Sequence, residues 1–228
     1  MKKVFIDLGA NKGQSTNYAL QKILNGVEDY EIHTFETLPL LAERLKEHFK
    51  KNPKVHVYHR AAWDENVILK FYVSPNSTES GTVFFGKTTG RLSKDVYIKV
   101  QAIDFSEWIV ENLKEEDYNI LKFDIEGAEY RLLDKLFLTD TYKYFNEVHG
   151  EFHTKKMTFG SEPEREAALR IEEKVKNHTT PYKYWDCSRY PGLVDYKQGT
   201  RPSLASSKIL NYDKDGKPVM YNEPSEDE

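Results

Sequence analysis

Val4-Phe5-Ile6-Asp7-Leu8-Gly9-Ala10-Asn11-Lys12-Gly13-Gln14-Ser15-Thr16 is the stretch whose reading decides the fold. Strand-forming residues run to an acid, the chain turns through two glycines, and residues suited to opening a helix follow. The pattern is a strand, a tight loop and a helix start. Glycine lets backbone N–H groups come close to a ligand, and a helix N-terminus favours an anionic group. The stretch therefore reads as a cradle for a small molecule.

Working outward, Ala19, Leu20, Ile23 and Leu24 recur at helical spacing, with Gly26 as a stop. Glu31 to Phe35 alternates like a strand and ends at Glu36, and Pro39 opens a helix with Leu41, Leu45 and Phe49 on one face. Val55 and Val57 begin a third strand that runs into the loop His59 to Asp64. This βαβαβ order predicts a mainly parallel sheet covered by helices on both faces, with ligands at the carboxyl ends of the strands. Between residues 65 and 101 the rhythm changes: Ile68 to Val73 and Val96 to Val100 read as strands of a hairpin-like insertion around a loop rich in Ser, Thr and Gly. The parallel pattern resumes with a helix capped by Asp104 or Ser106, then the strand Asn119 to Ile125 leading into Glu126-Gly127-Ala128-Glu129, and a helix marked by Leu132, Leu133, Leu136 and Phe137.

Phe145 to His153 reads as a further strand carrying Glu147, His149, Glu151 and His153 at alternate positions, so all four face one way if it stays regular. Ser161-Glu162-Pro163-Glu164 is a capping box opening a helix to about Asn177. Tyr182 to Cys187 and Ser207 to Tyr212 are the expected closing strands. Residues 1–221 are expected to form a single domain and 222–228 a flexible acidic tail.

The 228 residues carry 31% charged side chains and a net charge of -4, so no electrostatic footprint for nucleic acid is expected. The single cysteine, Cys187, excludes an internal disulfide and a cysteine-based zinc motif. No apolar run reaches membrane-spanning length and no signal peptide fits ahead of the first strand, so a cytoplasmic protein without membrane partners is expected.

Glycine spacing separates the possible ligands of the cradle. A P-loop requires four residues between its glycines and a following lysine, whereas three separate Gly9 from Gly13 and Gln14 holds the lysine position. The dinucleotide fingerprint fails at Asn11, which stands where its middle glycine belongs. Asp7 at the strand end would repel a pyrophosphate and suits a cationic ligand better.

Asp7-Leu8-Gly9-Ala10-Asn11-Lys12-Gly13 resembles motif I of class I S-adenosylmethionine-dependent methyltransferases. With Glu36 ending the second strand, Ala61-Ala62-Trp63-Asp64 after the third, and Lys122-Phe123-Asp124-Ile125-Glu126-Gly127-Ala128-Glu129, the chain resembles the FkbM family. The resemblance covers about Val4 to Glu151. It implies a Rossmann-like α/β sandwich with a seven-stranded, mainly parallel sheet whose last strand pair is antiparallel. It also implies S-adenosylmethionine as methyl donor and O-methylation of a hydroxyl on a carbohydrate or related small metabolite. Carried over by position, it assigns Asp7, Gly9, Ala10, Asn11, Gly13, Ser15 and Thr16 to the donor loop and Glu36 to the ribose hydroxyls. Ala61 and Ala62, with Asp64 nearby, fall to the adenine, and Asp124 to the donor amino group and methyl.

Methyl transfer is an in-line displacement, and a hydroxyl acceptor benefits from a base. The candidates are Asp124, Glu126, His149, Glu151 and His153, and His149 is the expected base because its ordinary pKa lies near neutrality. Asp124 and Glu126 complete the expected catalytic group. A divalent ion held by Asp124, Glu126 and His149 is the alternative, with a metal-free site the expectation. Ser74 to Arg91 and the aromatic stretch Tyr182 to Pro191 are the candidates for covering a small-molecule or glycan acceptor. N-methylation of an amine, or donor binding without catalysis, are the rival readings.

Overall fold

The computed structural model describes residues 1–73, 81–84, 86–90, 92, 96–186, 190–194, 210–212 and 218–220. Its main sheet is built from β1 (Lys3–Leu8), β2 (Tyr30–Glu36), β3 (Val55–His59), β7 (Tyr118–Phe123), β8 (Glu147–Gly150) and β9 (Tyr182–Tyr184). The strand order is β3-β2-β1-β7-β8-β9, and every neighbouring pair is parallel. The order reverses on either side of β1, so the carboxyl ends of β1 and β7 flank the crevice where such sheets bind ligands.

Alternation along β1 explains how the sheet is covered. Val4, Ile6 and Leu8 join a core with Phe105 and Ile109 of α3 (Phe105–Asn112) and Leu132 and Leu133 of α4 (Glu129–Leu138). Phe5 faces the other side, against Ala19, Leu24, and Leu45 and Phe49 of α2 (Pro39–Phe49). Both faces are apolar because both are buried, as a parallel sheet requires. The first crossover is a short α1 (Gln14–Tyr18) that widens into a π turn over Ala19–Ile23 rather than continuing as α-helix. In α3 the Asp104 carboxylate accepts hydrogen bonds from the backbone N–H groups of Ser106 and Glu107, which settles the cap on Asp104. The long α5 (Glu162–Lys176) starts at Ser161, whose hydroxyl accepts from the N–H of Glu164, as its capping box requires.

Three expectations change. Among the described residues the sheet has six strands rather than seven, and its last pair, β8 with β9, is parallel. Leu210–Tyr212 (β10) pairs instead with Pro218–Met220 (β11) in a separate two-stranded sheet, and the rest of the expected closing strand from Ser207 lies outside the described residues. The third change is between residues 61 and 104, where the chain forms a second sheet in the order β4-β6-β5. β5 (Val67–Tyr72) runs antiparallel to β6 (Tyr97–Asp104), and β4 (Ala61–Trp63), expected as loop, joins β6 in parallel. Phe71, Val100, Ala102 and Trp63 give this sheet its own apolar face, which closes over Ala128. Among the described residues no helix is long and apolar enough to cross a membrane.

Candidate functional site

The loop after β1 is held in place by its own backbone and by a buried ion pair. The N–H groups of Gly9 and Ala10 both reach the carbonyl oxygen of Phe35, at 3.1 and 3.1 Å. Gly9 has φ +79, and a Cβ there would lie 2.1 Å from the carbonyl oxygen of Asp124, so only glycine lets the β1 and β7 loops meet. Asp7, completely buried, faces away from the crevice: Oδ2 accepts from Ser15 Oγ at 2.5 Å and Thr16 Oγ1 at 2.8 Å. Its Oδ1 stands 3.1 Å from Lys122 Nζ, which also donates to the carbonyls of Leu8 and Gly9 at 3.2 and 2.8 Å. Burying both charges is tolerable because their hydrogen-bonding capacity is largely used. Lys122 thus ties together two strands and the loop, a role that no spacing in the sequence announces.

A cavity of about 350 Å³ opens in front of this loop. Gly9, Ala10, Asn11 and Ser15 line one wall, while Asp7, Gly13 and Thr16 do not reach it. Glu36 lies beside Asn11, whose N–H it accepts at 2.6 Å through Oε2, while Oε1 accepts from the Leu38 N–H at 2.8 Å. Burial raises the Glu36 pKa, against the opposing pull of those two N–H groups and Lys122. Ala61, Ala62 and Trp63 line the same cavity. Asp64 does not reach it; its carboxylate pairs with Arg131 at 2.6 Å. Gly81, Val83 and Lys87 reach the cavity from the segment expected to cover it, and residues 74–80 of that segment lie outside the described residues.

Carboxylates and an imidazole gather where β7 and β8 end. Asp124 and Glu126 line the cavity with Glu151 and Lys156. Glu126 is held in a left-handed conformation, φ +55, which costs a non-glycine residue stability and persists where surroundings impose it. Thr82 Oγ1 donates to its carbonyl at 2.5 Å and Lys87 Nζ lies 2.6 Å from its carboxylate. Behind them His153 is completely buried. Glu129 Oε1 accepts both the backbone N–H of His153, at 2.9 Å, and a contact from Nδ1 at 3.0 Å, while Oε2 accepts from the Gly127 N–H at 2.8 Å. With Glu129 acting as acceptor, Nδ1 carries a proton and Nε2 points outward, 3.1 Å from Glu126 Oε2 and 3.7 Å from Asp124 Oδ1.

Titration behaviour follows from this packing. Burial pushes the Asp124 carboxyl up to about 6 against the stabilising charges of Lys122 and His153, with Glu126 and Glu151 adding to the rise. Burial lowers the His153 pKa, but the Glu129 hydrogen bond and the surrounding carboxylates outweigh it and leave the imidazole above its ordinary value.

His149 is not part of this group. Strand β8 stops at Gly150, so the alternation that would align Glu147, His149, Glu151 and His153 ends halfway along it. His149 pairs in register with Lys122 and Lys183 and lies at a second cavity of about 120 Å³, with Tyr18, Tyr184, Trp185 and Tyr190. Its Nε2 contacts Glu147 Oε1 at 2.5 Å, and the same oxygen meets Lys183 Nζ at 2.5 Å. Burial lowers its pKa despite Glu147. Trp185 and Tyr190 stack on one another with Tyr18 against them, on that side rather than over the larger cavity. The trio expected from the sequence therefore becomes Asp124, Glu126 and His153, with Glu129 behind. Its signal was present in the Glu-Gly-Ala-Glu spacing, but the contact from Glu129 to His153 spans 24 residues.

The Methyltransferase FkbM domain matches residues 7–179 of the chain. None of the curated proteins matches. Among solved structures, a crystal structure of methyltransferase FkbM from Methylobacillus flagellatus KT aligns at 12% identity and a TM-score of 0.39, covering 62% of this chain and 30% of that one.

Proposed function

The chain belongs to the FkbM methyltransferase family, and we propose that it transfers a methyl group from S-adenosylmethionine to a hydroxyl of a carbohydrate or related small metabolite. The observation that carries this reading is the single cavity wall joining the Gly9 to Asn11 loop, Glu36 and Asp124 at three neighbouring strand ends. The fit to the donor can be judged on this chain's own atoms. Each Glu36 oxygen takes one backbone N–H and keeps a further lone pair for a ribose hydroxyl. Ala61 and Ala62 offer apolar surface for a flat base, and the Asp124 carboxylate, at the strand end next to the Gly9 loop, suits the donor's cationic end. S-adenosylmethionine supplies a methyl group on a positively charged sulfur.

Asp7 supports this arrangement indirectly. By holding Ser15, Thr16 and Lys122 it keeps the loop backbone in position, so it acts as a positioning residue rather than a donor ligand. At the other end of the cavity, Asp124 and Glu126 line the space left for an acceptor with the buried His153 directly behind them, and this trio replaces His149 as the group that would handle its hydroxyl. Lys87 and Lys156 stand beside Glu126 and Glu151 there and would orient a polar acceptor.

Isothermal titration calorimetry with S-adenosylmethionine and its demethylated product tests the reading. Saturable binding of both is expected, and the absence of any binding heat at millimolar ligand would overturn it.

A further inference from the structure

We propose that Asp124, Glu126 and His153 form a binding site for a divalent cation of the Mg²⁺ or Mn²⁺ class. Each of the three offers one ligand atom, and these atoms lie within 4.8 Å of one another. Their chemistry, two carboxylate oxygens and one imidazole nitrogen, matches hard to borderline divalent ions.

The second observation is the state of His153. It is 0% exposed, and its Nε2 makes no hydrogen bond although it is aimed between two carboxylates. A buried polar atom left in this way is costly unless something occupies the space in front of it. Glu129 supplies the remaining requirement. By accepting a hydrogen bond from Nδ1–H, with its own oxygens also fixed by the N–H groups of His153 and Gly127, it orients the ring and turns Nε2 toward Asp124 and Glu126, where an ion would displace any proton on that nitrogen. A carboxylate behind a histidine in this geometry is the arrangement that sets tautomer and basicity for metal-binding imidazoles. The two carboxylate oxygens draw positive charge to this poorly solvated place, and a divalent cation can satisfy both of them together with the imidazole nitrogen.

The neighbouring charges are compatible. Glu151 Oε1 lies 3.9 Å from the same Nε2 and adds a further acid, though Lys156 holds it at 2.8 Å. Lys87 contacts the Glu126 oxygen nearest the histidine, so an ion would share that carboxylate with a lysine.

This inference deepens the methyltransferase reading and rests on it for its purpose. An acceptor hydroxyl occupying an open position of the ion would have its pKa lowered. As the oxygen–methyl bond forms and the sulfur–methyl bond breaks, the bonding pair stays on sulfur and the hydroxyl proton passes to water.

Chelator-treated full-length protein titrated with Mn²⁺, followed by the loss of the free-ion electron paramagnetic resonance signal, tests the site directly. Stoichiometric binding is expected. His153→Ala and Asp124→Asn should weaken it by more than tenfold, and Glu129→Gln by roughly ten- to a hundredfold. Circular dichroism identifies any variant that fails to fold; Asp124→Asn keeps the size of a partly exposed side chain and remains readable if His153→Ala does not. Glu36→Ala should lose donor affinity in calorimetry while retaining Mn²⁺. No Mn²⁺ uptake at millimolar ion, or uptake undiminished in folded Asp124→Asn, overturns the site. Mn²⁺ uptake without any donor binding would sustain the site and remove the methyltransferase reading.

Discussion

His149 and His153 stand close together on one run of chain, each beside a glutamate, yet they occupy unlike surroundings. His149 sits on a regular strand, with its carboxylate partner two residues away and a half-exposed lysine completing the group. His153 lies beyond the strand end, anchored from behind by a glutamate on another element and facing two carboxylates at 3.1 and 3.7 Å. The first is a charge cluster between neighbouring strands beside packed aromatics. The second joins the loops after β7 and β8 to the start of α4 at one point. A histidine becomes useful when its two nitrogens have separate tasks, and of these two it is His153 that has one nitrogen fixed and the other turned to the carboxylates.

The largest expected effect breaks this comparison most directly. His153→Ala should lower the rate of demethylated-donor formation with carbohydrate acceptors on the order of a hundredfold or more, whereas His149→Ala should change it only a few-fold. Equal losses in the two variants would show that the two sites act as one.

His33 offers a third case, a buried histidine whose hydrogen-bond partner is the Tyr58 hydroxyl, at 3.0 Å from Nδ1. Burial lowers its pKa from 6.5 to about 4, with Glu31 opposing and His56 and Lys2 assisting. Because the folded value lies below the unfolded one, the neutral ring's stabilising contribution is complete above about pH 6.5. It is lost as pH falls toward about 4, a decline worth at most roughly 3 kcal/mol. His59, also lowered to about 4, titrates in the same direction. Urea unfolding across this window should show the decline, and His33→Phe should flatten part of it.

Within the larger cavity, Glu36→Ala should weaken donor binding by roughly ten- to a hundredfold, since hydrogen bonds to a charged group contribute about 1.5 to 3 kcal/mol. Calorimetry reads it, and unchanged affinity would remove Glu36 from the donor site. The smallest effect belongs to the His149 side: Lys183→Gln removes an ion pair whose lysine is 57% exposed, so stability should fall by less than about 1 kcal/mol and donor affinity should not move.

Much of the donor side was legible because its determinants are local. The Asp7 to Thr16 stretch, the acid ending β2 and the caps of α3 and α5 depend on neighbours a few residues away, where propensity and turn chemistry act directly. Even there the direction of Asp7 was misread. An acid at a strand end can face a ligand or the sheet interior, and a buried lysine from the adjacent strand drew it inward. The acceptor side was less legible because alternation is informative only while a strand persists. At Gly150 the Phe123 ring of the neighbouring strand lies 2.2 Å from where a Cβ would stand, a tertiary constraint on this residue that no alternation records. Trp63 and its two alanines were expected in a loop because a three-residue strand is recognisable only beside the β6 strand that pairs with it.

By itself the sequence determined the alternating α/β order, the glycine loop after β1, the acids at the ends of β1, β2 and β7, and the family resemblance those residues carry. Each is written in short-range spacing and side-chain chemistry. Tertiary structure alone decided which of those acids reach the cavity, that the main sheet closes with a parallel strand, and that His153 rather than His149 meets Asp124 and Glu126. These outcomes depend on contacts between distant residues. Burial and the pairing of polar groups select among them, and no periodicity along the chain records that selection.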